Sequence, residues 1–119
     1  MVESPPARVC VCQSKSKLKD LVSRIAETLL NGQTAVVLGK AKTIAKAVSS
    51  VEIVKRPLDG EVEQQTRIYR QSFQGKTQNC IEIKLAVYLT DEVRGKLQEL
   101  KAQNEGDKTV NHRKLPNAR

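Results

Sequence analysis

Ala35-Val36-Val37-Leu38, followed directly by Gly39-Lys40-Ala41-Lys42-Thr43-Ile44-Ala45-Lys46-Ala47-Val48, decides how this chain is read. The first four residues are an unbroken apolar run of strand type. Ile44, Ala47, Val48, Val51 and Val54 then recur at helical spacing. Lys40 and Lys42 therefore stand on a short loop where a strand hands over to a helix. The first amides of a helix lack intrahelical acceptors and carry the positive end of its dipole. Lysines added there make a setting suited to phosphate.

Upstream, Val9-Cys10-Val11-Cys12 is a short β-type run and Gln13 to Lys17 is polar and turn-like. Leu18, Leu21, Val22, Ile25, Ala26 and Leu29 then form one apolar helical face. Ser16 is the expected N-cap of that helix, and Asn31-Gly32 supplies its stop. Downstream, Pro57 and Asp59-Gly60 break the second helical pattern. Residues 61–72 read as an exposed strand, with Val62, Thr66 and Ile68 on one face and Arg67, Tyr69 and Gln71 on the other. Gln74-Gly75-Lys76 marks a turn. Ile81, Ile83, Leu85, Val87 and Leu89 alternate with Glu82 and Lys84 in a clearer strand. Thr90-Asp91-Glu92 opens a short helix with Val93, Leu97 and Leu100 on one stripe.

The order is βαβαββ plus a terminal helix. The predicted class is α+β: a four-stranded mixed sheet with two helices on one face, which buries both apolar stripes. Residues 1–7 read as a flexible lead-in, 8–89 as the domain, 90–103 as the C-terminal helix and 104–119 as a disordered basic tail.

The 119 residues suffice for one domain with a small single core. The 21 Lys+Arg against 13 Asp+Glu give a formal charge of +8, which favours an anionic partner such as nucleic acid, an acidic membrane surface or an acidic protein. Only Tyr69, Phe73 and Tyr88 are aromatic, too few for a platform that stacks many single-stranded bases. No 18-residue apolar run predicts a transmembrane helix. The N-terminus lacks the basic-then-apolar pattern of a signal.

Cys10, Cys12 and Cys80 sit in strand-like runs and read as buried reduced thiols of a cytosolic or nuclear protein. Cys10-x-Cys12 is not a zinc spacing, and the single histidine, His112, lies in the polar tail. A P-loop is also excluded. Gly32 stands seven residues before Gly39 where that motif needs five, and Ala41 occupies the Ser/Thr position that would hold Mg²⁺. No nucleophile–base set and no paired-carboxylate motif can be assembled, so no enzyme, cofactor, metal or small-molecule substrate is expected.

The chain resembles the Alba family of nucleic-acid-binding proteins. The residues that carry the likeness are Thr28-Leu29-Leu30-Asn31, Gly39 through Val48, Val51-Glu52-Ile53-Val54-Lys55 and Ile81-Glu82-Ile83, within a span from about Val9 to Val87. The resemblance implies a dimer that binds DNA or RNA through three elements. By position these are Lys15 and Lys17 before the first helix, Lys40 and Lys42 before the second, and Arg67, Arg70 and Lys76 on a hairpin arm. The family's chromatin members have two adjacent lysines before the first helix, whereas Ser16 separates the pair here. They also carry an aromatic after the second helix that pairs dimers along DNA; near that place this chain has Leu58. The C-terminal extension and three cysteines are more like small eukaryotic members, which mostly bind RNA and act in mRNA translation and stability.

Two further residues have competing readings. Lys46, one turn after Lys42, either extends the phosphate track or snorkels from the helix surface. Tyr69 either stacks on a base or packs. The expected partner is RNA, with DNA the alternative, bound by a homodimer or by a heterodimer with another Alba-type protein. The expected compartment is the cytoplasm, with the nucleus as a second location. Alternative roles are an RNase P/MRP-type ribonucleoprotein subunit, a DNA-packaging protein, or an assembly module docking other Alba-type proteins or translation factors through Val93, Leu97 and Leu100.

Overall fold

The computed structural model describes residues 6–109. In chain order it contains β1 (Ala7–Val11), α1 (Leu18–Leu30), β2 (Thr34–Lys40), α2 (Ile44–Leu58), β3 (Glu63–Phe73), β4 (Lys76–Ala86) and α3 (Asp91–Thr109), with a 3-10 turn at Ala41–Thr43. The fold is α+β with βαβαββ order. One four-stranded mixed sheet runs β1-β2-β4-β3: β1 is parallel to β2, and β4 is antiparallel to both of its neighbours. Of the expected lead-in at 1–7, residues 1–5 lie outside the described residues and Ala7 already belongs to β1; of the expected tail at 104–119, residues 110–119 lie outside them. The last helix extends to Thr109, past the expected end at 103.

Register sorts the sheet into two faces. Cys10, Val37, Ile83 and Leu85 are fully or almost fully buried on one of them. Against that face pack Leu21, Val22, Ile25 and Leu29 of α1 and Ala47, Val51, Val54 and Leu58 of α2, all at most 1% exposed. Each such large aliphatic side chain contributes about 1.5–3 kcal/mol on burial. Val48, read as part of the same stripe, is instead exposed at the flank of α2. Ile68 pairs with Ile81, so its side chain lies on the helix side of β3. β3 is the outermost strand, and Ile68 is 73% exposed.

Helix ends follow local chemistry. Gly32, at φ +75°, turns the chain after α1. Its N–H donates to Leu29 O at 3.0 Å and Gln33 N–H to Thr28 O at 3.1 Å, which satisfies two carbonyls that the helix leaves open. The N-terminus of α1 departs from expectation. Lys17, not Ser16, is the N-cap, and no side chain caps it. The Ser16 hydroxyl is engaged one residue too early, accepting the Gln13 N–H at 3.1 Å, so it closes the preceding turn instead. Thr90 does cap α3, accepting the Val93 N–H at 3.1 Å.

The α3 stripe is not a docking surface. Val93, Leu97 and Leu100 are at most 7% exposed, because α3 lies against α1 and joins the same core. The stripe is taken up by the protein's own core and presents no surface for a partner.

Candidate nucleic-acid interface

β1 and β2 are parallel neighbours, so the chain leaves both at the same end of the sheet. The loop carrying Lys15 and Lys17 and the loop carrying Lys40 and Lys42 consequently stand side by side. Lys40 pairs with Cys80, which in turn pairs with Tyr69; this is the last row in which three strands meet. Beyond it β3 and β4 continue alone, from Arg70↔Asn79 to Phe73↔Lys76. A two-stranded arm therefore projects from the same end as the two loops. Its tip is a tight turn in which Gln74 and Gly75 both have positive φ, 52° and 77°, as a two-residue hairpin of this twist demands.

The second loop is rigidly built. The Lys40 N–H donates to the Thr43 hydroxyl at 2.8 Å, and that hydroxyl donates back to Lys40 O at 3.0 Å. Ala41 has a left-handed φ of 47°, a conformation that costs a non-glycine residue about 1 kcal/mol or more. Gly39 lets strand and helix meet. A Cβ there would stand 3.0 Å from Ala47 Cβ, 3.1 Å from Thr43 O and 3.2 Å from Ile44 Cα. With the main chain held in this way, the side chains of Lys40 and Lys42 are exposed. Neither Thr43 nor Lys17 provides a side-chain cap to the helix that follows it.

The sequence-derived site residues separate into three groups. Lys15, Lys17, Lys40, Lys42, Arg70 and Lys76 are exposed and carry no ion pair among the described residues. Arg67 and Tyr69 form a unit on the helix-free face. The Arg67 guanidinium lies 4.6 Å from the Tyr69 ring centroid, and its Nε is 3.3 Å from Glu82 Oε1. Tyr69 is half-buried under this cation. Lys46 differs from both groups: its Nζ donates to Ser14 O at 3.0 Å and Ser16 O at 2.7 Å, across to the other loop.

All three cysteines are free and buried. Burial pushes the Cys10 and Cys12 thiols up; the hydrogen bond with Thr28 partly opposes this at Cys10, as the charge of Lys46 does at Cys12. Among the described residues no cluster of His, Cys, Asp and Glu is arranged to hold a metal ion, and no helix is long and apolar enough to cross a membrane.

At the level of sequence, neither a family model nor a curated protein matches this chain. Solved structures do. ALBA1 from Trypanosoma brucei superposes with a TM-score of 0.65 over 88% of this chain and 89% of its own, at 21% identity. Alba from Thermoplasma volcanium matches with a TM-score of 0.53 over 66% of this chain and 98% of its own, at 19% identity.

The chain has the Alba fold.

Within this Alba fold, sequence reasoning located the lysines but missed what positions them. Thr43 was legible as a hydroxyl residue just before a helix. Its engagement with the main chain of Lys40, rather than with the helix amides, was not. The acceptors of Lys46, Ser14 O and Ser16 O, lie 32 and 30 residues away in sequence, and no local pattern signals them.

Proposed function

We propose that this chain is an RNA-binding protein that acts as a dimer and recognises its ligand through backbone charge and shape. The observation that carries the reading is convergence. Two parallel strands and one projecting hairpin bring Lys15, Lys17, Lys40, Lys42, Arg70 and Lys76 to one end of the sheet, unpaired among the described residues. The exposed helix beginnings beside Lys17 and Lys40 add backbone donors. Arg67 and Tyr69 supply one stacking surface. The resemblance to the Alba family and the shared fold support the same assignment, including a role in mRNA translation or stability in the cytoplasm.

Ile68 and Val48, apolar and exposed on the helix side, are the proposed contact between protomers. Leu58 favours RNA over cooperative coating of DNA. It falls near the place where the chromatin members are expected to carry the aromatic that pairs dimers, and at the end of α2 it is fully buried in the core.

The test is a polarisation titration of the full chain on single-stranded RNA, single-stranded DNA and duplex DNA of mixed sequence, joined with recovery of nucleic acid cross-linked to it in cells. Tightest binding to RNA with little sequence preference, and recovery of many messenger RNAs, is the expected result. Recovery of one structural RNA would assign it to a ribonucleoprotein particle, and genomic DNA would make it a packaging protein. Absence of binding to all three probes refutes the proposal.

A further inference from the structure

Lys46 commits its ammonium group to the protein's own main chain. It extends from the first turns of α2 across to the loop before α1, where it donates to Ser14 O and Ser16 O. Both acceptors are carbonyls of an irregular segment with no strand or helix partner for them, and charged donors make the stronger kind of hydrogen bond. That segment is also clasped by the Gln13–Ser16 turn, in which Ser16 N–H donates to Gln13 O at 3.0 Å and the Ser16 hydroxyl accepts from Gln13 N–H. Lys15 and Lys17 flank Ser16 directly. Behind the junction sits the buried Cys12 thiol, close enough for the Lys46 charge and the Thr43 hydroxyl both to act on it.

We infer that Lys46 is a positioning residue: a strut that fixes the loop bearing Lys15 and Lys17 relative to the loop bearing Lys40 and Lys42, rather than a phosphate ligand itself. The two loops meet their ligand as one preorganised surface because this ammonium joins them. Preorganisation matters because every loop ordered on binding subtracts from affinity. The consequence for binding rests on the function proposed above; the structural half does not.

Two measurements on the full chain test it. The first is hydrogen exchange of the free protein, comparing wild type with Lys46→Met and Lys46→Arg. Loss of two charge-assisted hydrogen bonds should speed exchange of the Gln13 and Ser16 amides, both held in the turn that Lys46 braces, by roughly tenfold, with β2 and β4 amides unchanged. Arginine, which also reaches and donates, should restore protection. A phosphate-only role predicts no change in the free protein, and that result overturns the inference. Should Lys46→Met also lose protection in β2 and β4, Lys46→Gln, which keeps a donor on a shorter stem, is compared in the same way.

The second measurement is a double-mutant cycle on single-stranded RNA. Lys46→Met should weaken binding severalfold in the wild-type background and less than about twofold when Lys15 and Lys17 are already glutamine, because its effect passes through them. An equal loss in both backgrounds marks a direct contact and refutes the strut. If the wild type binds no RNA, the proposed function fails while the exchange comparison still decides the structural claim.

Discussion

Replacing Lys40 and Lys42 together with glutamine isolates the electrostatic contribution of the second loop. Both side chains are exposed and lack an ion pair among the described residues. The main chain of Lys40 is held by Thr43 whatever its side chain. The substitution should therefore leave the unfolding free energy from urea denaturation within about 0.5 kcal/mol of wild type. Its effect on binding follows from counterion release, which contributes about 0.7 to the log–log salt slope for each phosphate neutralised on a single strand. With roughly three phosphates per protomer, a dimer should show a slope near −4. Removing two contacts per protomer should leave about −1.5. Between about 50 and 200 mM salt, wild-type affinity should then fall roughly 250-fold and that of the variant by less than about tenfold. The assay is fluorescence polarisation at five or more salt concentrations with one labelled RNA. An unchanged slope with unchanged affinity would falsify the placement of phosphate at this loop, since two exposed charges cannot leave such a contact unnoticed.

Three other outcomes follow from the structure. Gly39→Ala places a methyl group within 3.0–3.2 Å of Ala47, Thr43 and Ile44, two of these contacts being main chain, and should lower stability by about 1–3 kcal/mol in urea denaturation; a neutral result would mean that strand and helix separate easily there. Ile68→Asp combined with Val48→Asp alters two exposed positions and should convert a dimer to a monomer in sedimentation with little change in circular dichroism; an unaltered dimer places the contact elsewhere. Burial holds the Cys10 and Cys12 protons more tightly in the folded chain than in the unfolded one. Stability from this source is therefore fully present below the ordinary thiol value near 9.0 and is lost as pH rises through the folded values. Urea midpoints between pH 8 and 10 should fall less steeply in the Cys10→Ala/Cys12→Ala variant than in wild type, and parallel curves would refute this account.

The sequence by itself determined the elements and their order. Side-chain periodicity is a local property: the alternating or helical runs at Leu18–Leu29 and Ile81–Leu85 each bury one face, and the unbroken apolar run Ala35–Val37 is buried on both, so pattern and burial agree. It also located Lys40 and Lys42 on a strand-to-helix loop. Where local chemistry offered two partners, it was less decisive: Ser16 resembles an N-cap, yet its hydroxyl closes a turn with Gln13. Only the tertiary structure decided how the elements meet. It laid α3 along α1, which removed Val93, Leu97 and Leu100 from the surface; a stripe of period 3.6 says that a helix face is covered, not by what. It left Val48 and Ile68 uncovered and brought Lys46 onto carbonyls about thirty residues earlier in the chain. Such contacts depend on strand order and helix placement, which arise from closing the whole chain around one core and are written in no single segment of it.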